Sequence, residues 1–401
     1  MQLIVHIGAG KTGTSAIQHA LAAHPDALAA RHARYLGLML EHAPGAQGAR
    51  RPWQKASGSE IFHGMPRAQA VEELCTVLRA AVIAAAADGM ARLLWSNESL
   101  FDRHAAVDVA LRRLAEDGVQ VRVIAYVRDP VAWTRSAYLQ WGIRHKTYPG
   151  PIRPFTTWAE SHAPRFAQVL DEWAADWGEA LVVRNYDAVD DVVPDFLAAC
   201  GLDGVALAPT RANDTPAPHD LLLRAIYNGR LADRALPQRF DRQFGPQGPG
   251  GGTPAGRLAA LLPDAQALVE LARRVAPDRE RVDARLRAAG QPPLPDAESS
   301  VSACIQHDVS RPLDESRLLM ALCELVVAQG QRIERLEHRL REMDGPDAGL
   351  SSPAVSIPGL AARAVAGSRQ PRASDAPATP DSATESAPGA RARPPSRRIP
   401  T

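Results

Sequence analysis

At 401 residues the chain is long enough for one large domain or two ordinary ones, and a hydrophobic content of 45% supplies a sizeable core. A formal net charge of +1 excludes a strong single-sign field, so neither nucleic acid nor an anionic membrane is an expected partner. Cys75, Cys200, Cys304 and Cys323 are scattered without a CxxC pair, which argues against a disulfide framework or zinc site and fits the reduced thiols of a cytoplasmic protein.

The chain opens on a short apolar run at 3–7 and lacks the basic start and long apolar stretch of a signal peptide. It holds no apolar run of about 18 residues, so no transmembrane helix is expected. A glycine-rich turn leads into a helix over 14–23, and residues 37–66 read as a loop region with Gly and Pro. Residues 68–87 read as a helix closed by Asp88-Gly89, 92–95 as a second strand, and 108–116 as a helix broken at Gly118. The clearest strand covers 119–127, where Val119, Val121, Val123, Ile124 and Val127 are β-branched. Pro130 suits the first turn of a helix running to residue 143. A helix over 166–177 precedes a fourth strand at 180–185. Strands separated by helices of this length define βαβ units, so the fold class is α/β, a parallel sheet flanked by helices.

From residue 216 the pattern is mainly helical, interrupted by a Gly/Pro-rich loop over 245–256. The expected organisation is one α/β domain over 1–290, a linker over 291–315, a helix over 316–343 and a disordered tail over 344–401. The helix carries Leu318, Leu322, Leu325, Ile333, Leu336 and Leu340 at mostly three- and four-residue steps, interrupted at Gln329. A short coiled coil joining copies of the chain and an amphipathic helix docked on its own domain both fit that pattern. The tail is rich in Pro, Ala, Ser and Arg and has too few large apolar residues to order itself.

The turn after the first strand reads Gly8-Ala9-Gly10-Lys11-Thr12-Gly13-Thr14-Ser15. A strand-to-helix junction presents free backbone N–H groups and the positive end of a helix dipole. Gly8, Gly10 and Gly13 let the backbone approach an anion, Thr12, Thr14 and Ser15 add hydroxyls, and Lys11 adds a charge. The ATPase pattern G-x-x-x-x-G-K-[ST] fails here: ending it at Lys11-Thr12 requires glycine where Val5 stands. Lysine is otherwise rare, recurring only at Lys55 and Lys146 amid abundant arginine and alanine, a bias that fits a GC-rich bacterial gene.

A second anion-binding segment, Tyr126-Val127-Arg128-Asp129-Pro130, leaves the strongest strand and enters a helix that carries Ser136, Tyr138 and Gln140. Arg128 sits at the carboxyl end of a parallel strand, where open α/β sheets bind ligands, and can grip a phosphate bidentately. The two motifs together, in this order and each after a strand, resemble the 5′-phosphosulfate loop and the 3′-phosphate motif of the sulfotransferase family. The resemblance covers residues 1–230 and is closest to the bacterial and carbohydrate-type branch. It implies a P-loop-type domain, a transferase activity and 3′-phosphoadenosine 5′-phosphosulfate as co-substrate, with no metal expected. It further implies that Lys11 contacts the bridging oxygen and that Gly10, Thr12, Gly13, Thr14 and Ser15 cradle the phosphosulfate. Arg128 and Ser136 would hold the 3′-phosphate and Tyr186 would contact the nucleoside. Arg211 would add to the 3′-phosphate site, or simply bond loop carbonyls.

The acceptor hydroxyl or amine needs a base. Glu98, in Trp95-Ser96-Asn97-Glu98-Ser99, follows the second strand and shares the sheet edge with Lys11 and Arg128. It is the expected base; its competing role is to complete a helix cap begun by Ser96 or Asn97. His104 is the fallback and His6 reads as structural. Loops 37–66 and 142–155 are expected to frame the pocket of a glycan, lipid or small-metabolite acceptor. Trp53, Trp133, Trp141, Tyr148 and Trp158 can stack on a sugar or pack in the core, and Arg144, His145 and Lys146 can attract an anionic acceptor or form a solvated helix end. Two alternatives remain: a P-loop nucleotide-dependent kinase, and a non-catalytic scaffold acting through the late helix and tail.

Overall fold

A computed structural model describes residues 1–43, 50–205, 207, 217–229, 261–310, 314, 319, 322, 326, 329 and 331–340. Five parallel strands form one sheet in the order β2-β3-β1-β4-β5: β1 (Gln2–Gly8), β2 (Ala33–Tyr35), β3 (Arg92–Ser96), β4 (Gln120–Val127) and β5 (Leu181–Asn185). The expected α/β class holds, with one more strand than the sequence reading counted. Ala33-Arg34-Tyr35 is too short and too polar to present a β-branched run, and its pairing with β3 defines it instead. The Gly37 to Pro66 region holds a short helix as well as loop.

The helices around it, among the described residues, are α1 (Thr14–Ala23), α2 (Pro25–Ala29), α3 (Ser59–His63), α4 (Arg67–Ala87), α5 (Ala105–Glu116), α6 (Pro130–Ala137), α7 (Phe155–His162), α8 (Phe166–Trp177), α9 (Val192–Ala199), α10 (Pro218–Gly229), α11 (Ala265–Ala288) and α12 (Ala297–Val309), with residues 331–340 helical beyond them. Strand side chains alternate between two cores, as the two-residue period of a strand demands. Leu3, Val5, Ile7, Trp95, Val123 and Val127 pack with α4, α5 and α8 on one face. Ile4, Leu94, Ile124 and Tyr126 pack with α1 and α9 on the other. A sheet covered on both faces explains why β1 and β4 read as continuous apolar runs. The helix after β1 lies on one face and the helix after β3 on the other, so the crevice between these adjacent strand ends is a topological switch point, where open α/β sheets take ligands.

A third core joins α6, α7, α10, α11 and α12. The segment expected to be a linker is partly this core: Asp296 caps α12 through its carboxylate and Ser299 N, and Val301 and Cys304 are buried. The Gly245 to Gly256 loop, the tail from residue 344 and Cys323 lie outside the described residues. No helix among the described residues is long and apolar enough to cross a membrane.

His6 sits at the centre of the sheet, fully buried with Nδ1 2.8 Å from Ser96 Oγ and its ring against Tyr126 and Phe196. Burial holds its imidazole down to about 3, below the ordinary 6.5. Between those values the unfolded chain takes up a proton that folded His6 refuses, so stability present above the ordinary value is lost as pH falls. Acidification from pH 6.5 to 4.5 is expected to cost about 2 kcal/mol through this residue. Urea unfolding at both pH values checks it: the pH dependence should shrink in His6→Gln, and an undiminished dependence would clear His6.

Candidate functional site

The β1–α1 loop is held by its carbonyls. Ala9 O accepts from Thr12 Oγ1 at 2.5 Å and Thr14 Oγ1 at 3.3 Å, Gly10 O from Trp133 Nε1 at 2.7 Å, and Lys11 O from Arg128 Nη1 at 3.1 Å. Thr12 and Thr14 are buried, so their hydroxyls brace the loop from within and their backbone N–H groups are what they can offer an anion. Gly13 caps α1 with φ +79 and no side-chain cap, which leaves the first-turn N–H groups of α1 unclaimed by any capping side chain. Ser15 sits half-buried in that first turn. Lys11 takes φ +66, a left-handed conformation that tips its peptide out of the ordinary turn path.

Neighbouring strand ends close on this loop. A Cβ placed on Gly13 would lie 2.6 Å from Val192 Cγ1 and 3.1 Å from Tyr186 Cε2, so the loop passes against the tyrosine ring with no room for a side chain. The Arg128 guanidinium stands 5.2 Å over the same ring. Arg128 Nε lies 3.7 Å from Asp187 Oδ1, and Asp187 Oδ2 accepts from Asp129 N. Gly13, Tyr186, Arg128 and Lys11 thus form one cluster built from β1, β4 and β5. Ser136 lies half-buried on α6, one turn beyond Trp133 on the same helix face. Arg211 lies outside the described residues.

Glu98 approaches from β3. The cap that competed for it falls to Asn97, whose Oδ1 accepts from Ser99 N at 2.9 Å. Glu98 instead packs on the loop, its Cα and Cβ 3.1 Å from where a Gly8 side chain would start. Its Oε2 accepts from Gln18 Nε2 at 2.8 Å, which fixes the carboxylate. A Cβ on Gly10 would meet Trp141 Cη2 at 3.6 Å and Glu98 Cγ at 4.0 Å, so Gly10 lies between an indole edge and a carboxylate arm. His104 is engaged elsewhere, tilted against Trp173 with Nε2 3.6 Å from Glu172.

The loop is electropositive. Burial lowers the Lys11 ammonium below its ordinary value, and the Arg128 and Arg144 guanidiniums lower it further. Arg144 reaches this cluster because the chain after α6 winds as a π-helical turn, Tyr138–Arg144, with Gly142 against the Tyr138 ring where a Cβ would fall 2.5 Å away. Of the aromatic residues expected to stack on a sugar, Trp53, Trp158 and Tyr148 are core: Trp53 Nε1 donates to Glu73, and Trp158 stacks on His162 at 4.2 Å. Trp133 and Trp141 remain half-buried beside the loop, edge to face at 5.8 Å. Lys146 is fully buried, donating to Gly150 O near the Tyr148 ring, so it is no surface attractor for an acceptor.

A cavity of about 340 Å³ opens beside the segment after β3, lined by Phe62, His63, Met65 and Arg103 among others. His63 Nε2 is 3.3 Å from Ser99 Oγ, next to Glu98 in sequence. The 37–66 stretch contributes Phe62, His63 and Met65 to this cavity, whose lining does not include Lys11, Arg128 or Glu98. Asp187, Gln18 and the loop-bracing role of Trp133 escaped the sequence reading; only the strand neighbours reveal them. No model of a known protein family matches the chain, and no curated protein matches it.

Gly13→Ala is expected to force a side chain into Val192 and a strained φ, costing about 1–3 kcal/mol and weakening anion binding at the loop. Thermal unfolding with and without pyrophosphate measures both effects, and a variant indistinguishable from the parent would refute this account of the loop. Binding of a polyanion should also raise the depressed Lys11 ammonium toward its ordinary value. Calorimetry in two alkaline buffers of unequal ionisation enthalpy should then reveal proton uptake; identical heats would count against it.

Proposed function

We propose that this chain is a sulfotransferase of P-loop type, moving a sulfuryl group from 3′-phosphoadenosine 5′-phosphosulfate to a hydroxyl or amine of an acceptor. The observation that carries the reading is the convergence of Lys11, Arg128 and Glu98 on one glycine-rich loop at the strand ends. The three residues come from three different strand ends, and the transfer needs all three functions: a phosphosulfate cradle and a 3′-phosphate clamp for the donor, and a base for the acceptor.

The donor would lie with its phosphosulfate on the N–H groups from Gly10 to Ser15, where the glycines leave room for it and the α1 dipole favours negative charge. Arg128 spends one of its five N–H donors on Lys11 O, leaving others for a 3′-phosphate, with Ser136 as the expected second donor. Tyr186 lies beneath Arg128 as a face for the nucleoside. The acceptor oxygen attacks sulfur as the bond from sulfur to the 5′-phosphate oxygen breaks. Glu98, held by Gln18, takes the acceptor proton, and the electron pair of the broken bond leaves on the nucleotide 5′-phosphate beside Lys11. Because little covalent work falls to the protein, positioning and preorganised charge supply most of the rate.

Isothermal calorimetry with adenosine 3′,5′-bisphosphate, 5′-AMP and the Arg128→Ala variant tests the donor class. Binding that needs both the 3′-phosphate and Arg128 is expected; equal affinity for the two nucleotides would overturn the proposal. With labelled donor, Lys11→Ala and Glu98→Gln should each lower sulfuryl transfer about 10²–10³-fold while the fold persists. Near-normal turnover would strip the residue concerned of its role.

A further inference from the structure

Helical residues Leu319, Leu322, Val326, Gln329, Ile333, Leu336 and Leu340 follow one another at steps of three, four, three, four, three and four. That spacing is an unbroken heptad seam, with Leu319, Val326, Ile333 and Leu340 at a and Leu322, Gln329 and Leu336 at d. The six apolar members are between 39% and 70% exposed, so the seam is not docked on the chain's own cores. Exposed apolar residues in register are what a partner helix covers, unlike the scattered ones of an ordinary surface.

We infer that this seam pairs with the same seam of a second copy as a parallel, two-stranded coiled coil. Three features specify the partner. Val326 and Ile333 put β-branched side chains at a, while Leu322 and Leu336 stand at d, the combination that favours two strands. Flanking charges fix the direction: Arg332 is at g and Glu337 at the following e, five residues on, where a parallel partner sets g against e. An antiparallel partner would set g against g, bringing Arg332 and Arg339 toward arginine. Gln329, the one polar member, fixes register, because only an in-register partner brings its own Gln329 to the same layer, where the two amides can satisfy each other. The inference stands on the late helix alone and is independent of the donor assignment.

Light scattering on the full chain at tens of micromolar should give twice the 43.0 kDa chain mass, and Ile333→Asp with Leu336→Asp should return it to one. Arg332→Glu alone and Glu337→Arg alone each set like charges against each other and should weaken self-association about tenfold. Mixed together, these two variants restore both g–e pairs and should associate with each other in preference to themselves. A single-chain mass for the parent would overturn the inference, as would a dimer that survives the double aspartate change. A mixture of the two charge variants with no preference for the mixed pair would overturn the parallel register. A cooperative thermal melt of each variant confirms that loss of association is not loss of fold.

Discussion

Three consecutive carbonyls, those of Ala9, Gly10 and Lys11, are turned into the protein by Thr12 and Thr14, by Trp133 and by Arg128. A backbone whose acceptors are occupied on one side presents its donors on the other, and this constraint shapes the β1–α1 turn. The remaining features follow from it. Glycine is required at Gly13 because Tyr186 and Val192 press against it, and Glu98 can stand over Gly8 because no side chain intervenes. Arg128 has two tasks, since the guanidinium that would bind an anion also braces the loop.

Charge is concentrated at the same place. Burial first, and then the Arg128 and Arg144 guanidiniums, lower the Lys11 ammonium, while Asp187 stands beside Arg128. The arrangement is held by packing and by hydrogen bonds to the backbone, and a bound anion would relieve it. A site that is strained in the free state and relaxed in the bound one discriminates by charge number, because each added negative charge removes more repulsion. That property suits a ligand carrying several acidic groups better than one carrying a single carboxylate.

Most of the fold was legible because its strands are buried on both faces and its helices are long. β1 and β4 announce themselves as β-branched runs, and α4 and α8 as uninterrupted helical stretches. β2 was not legible, since three residues with an arginine at the centre carry no periodic signal. In the site, the glycines, Lys11, Arg128 and Glu98 are readable from their places at strand ends. Asp187 and the brace from Trp133 depend on which strands become neighbours, and Trp133 bonds a residue 123 positions away. Trp53 and Trp158 are likewise buried in cores that distant segments complete. Residues 297–309, inside the expected 291–315 linker, have few and small apolar side chains; Val301 and Cys304 join the third core, and an Asp296 cap and the Arg135–Asp308 pair add polar anchors.

That last attachment has a consequence for how the molecule is made. Asn185, at the end of β5, donates to the carbonyls of Pro292 and Pro293, 107 and 108 residues downstream, and Arg135 on the helix behind Arg128 bonds Asp308, 173 residues downstream. Every strand of the sheet has left the ribosome long before these partners exist. The nascent chain therefore carries every strand of the sheet before the ends of β4 and β5 gain these partners, with the apolar backs of α6 and α7 uncovered. Synthesis of the final third of the described fold is the step that seals them, which makes the interval between residues 200 and 310 the period of greatest exposure to proteases and to aggregation.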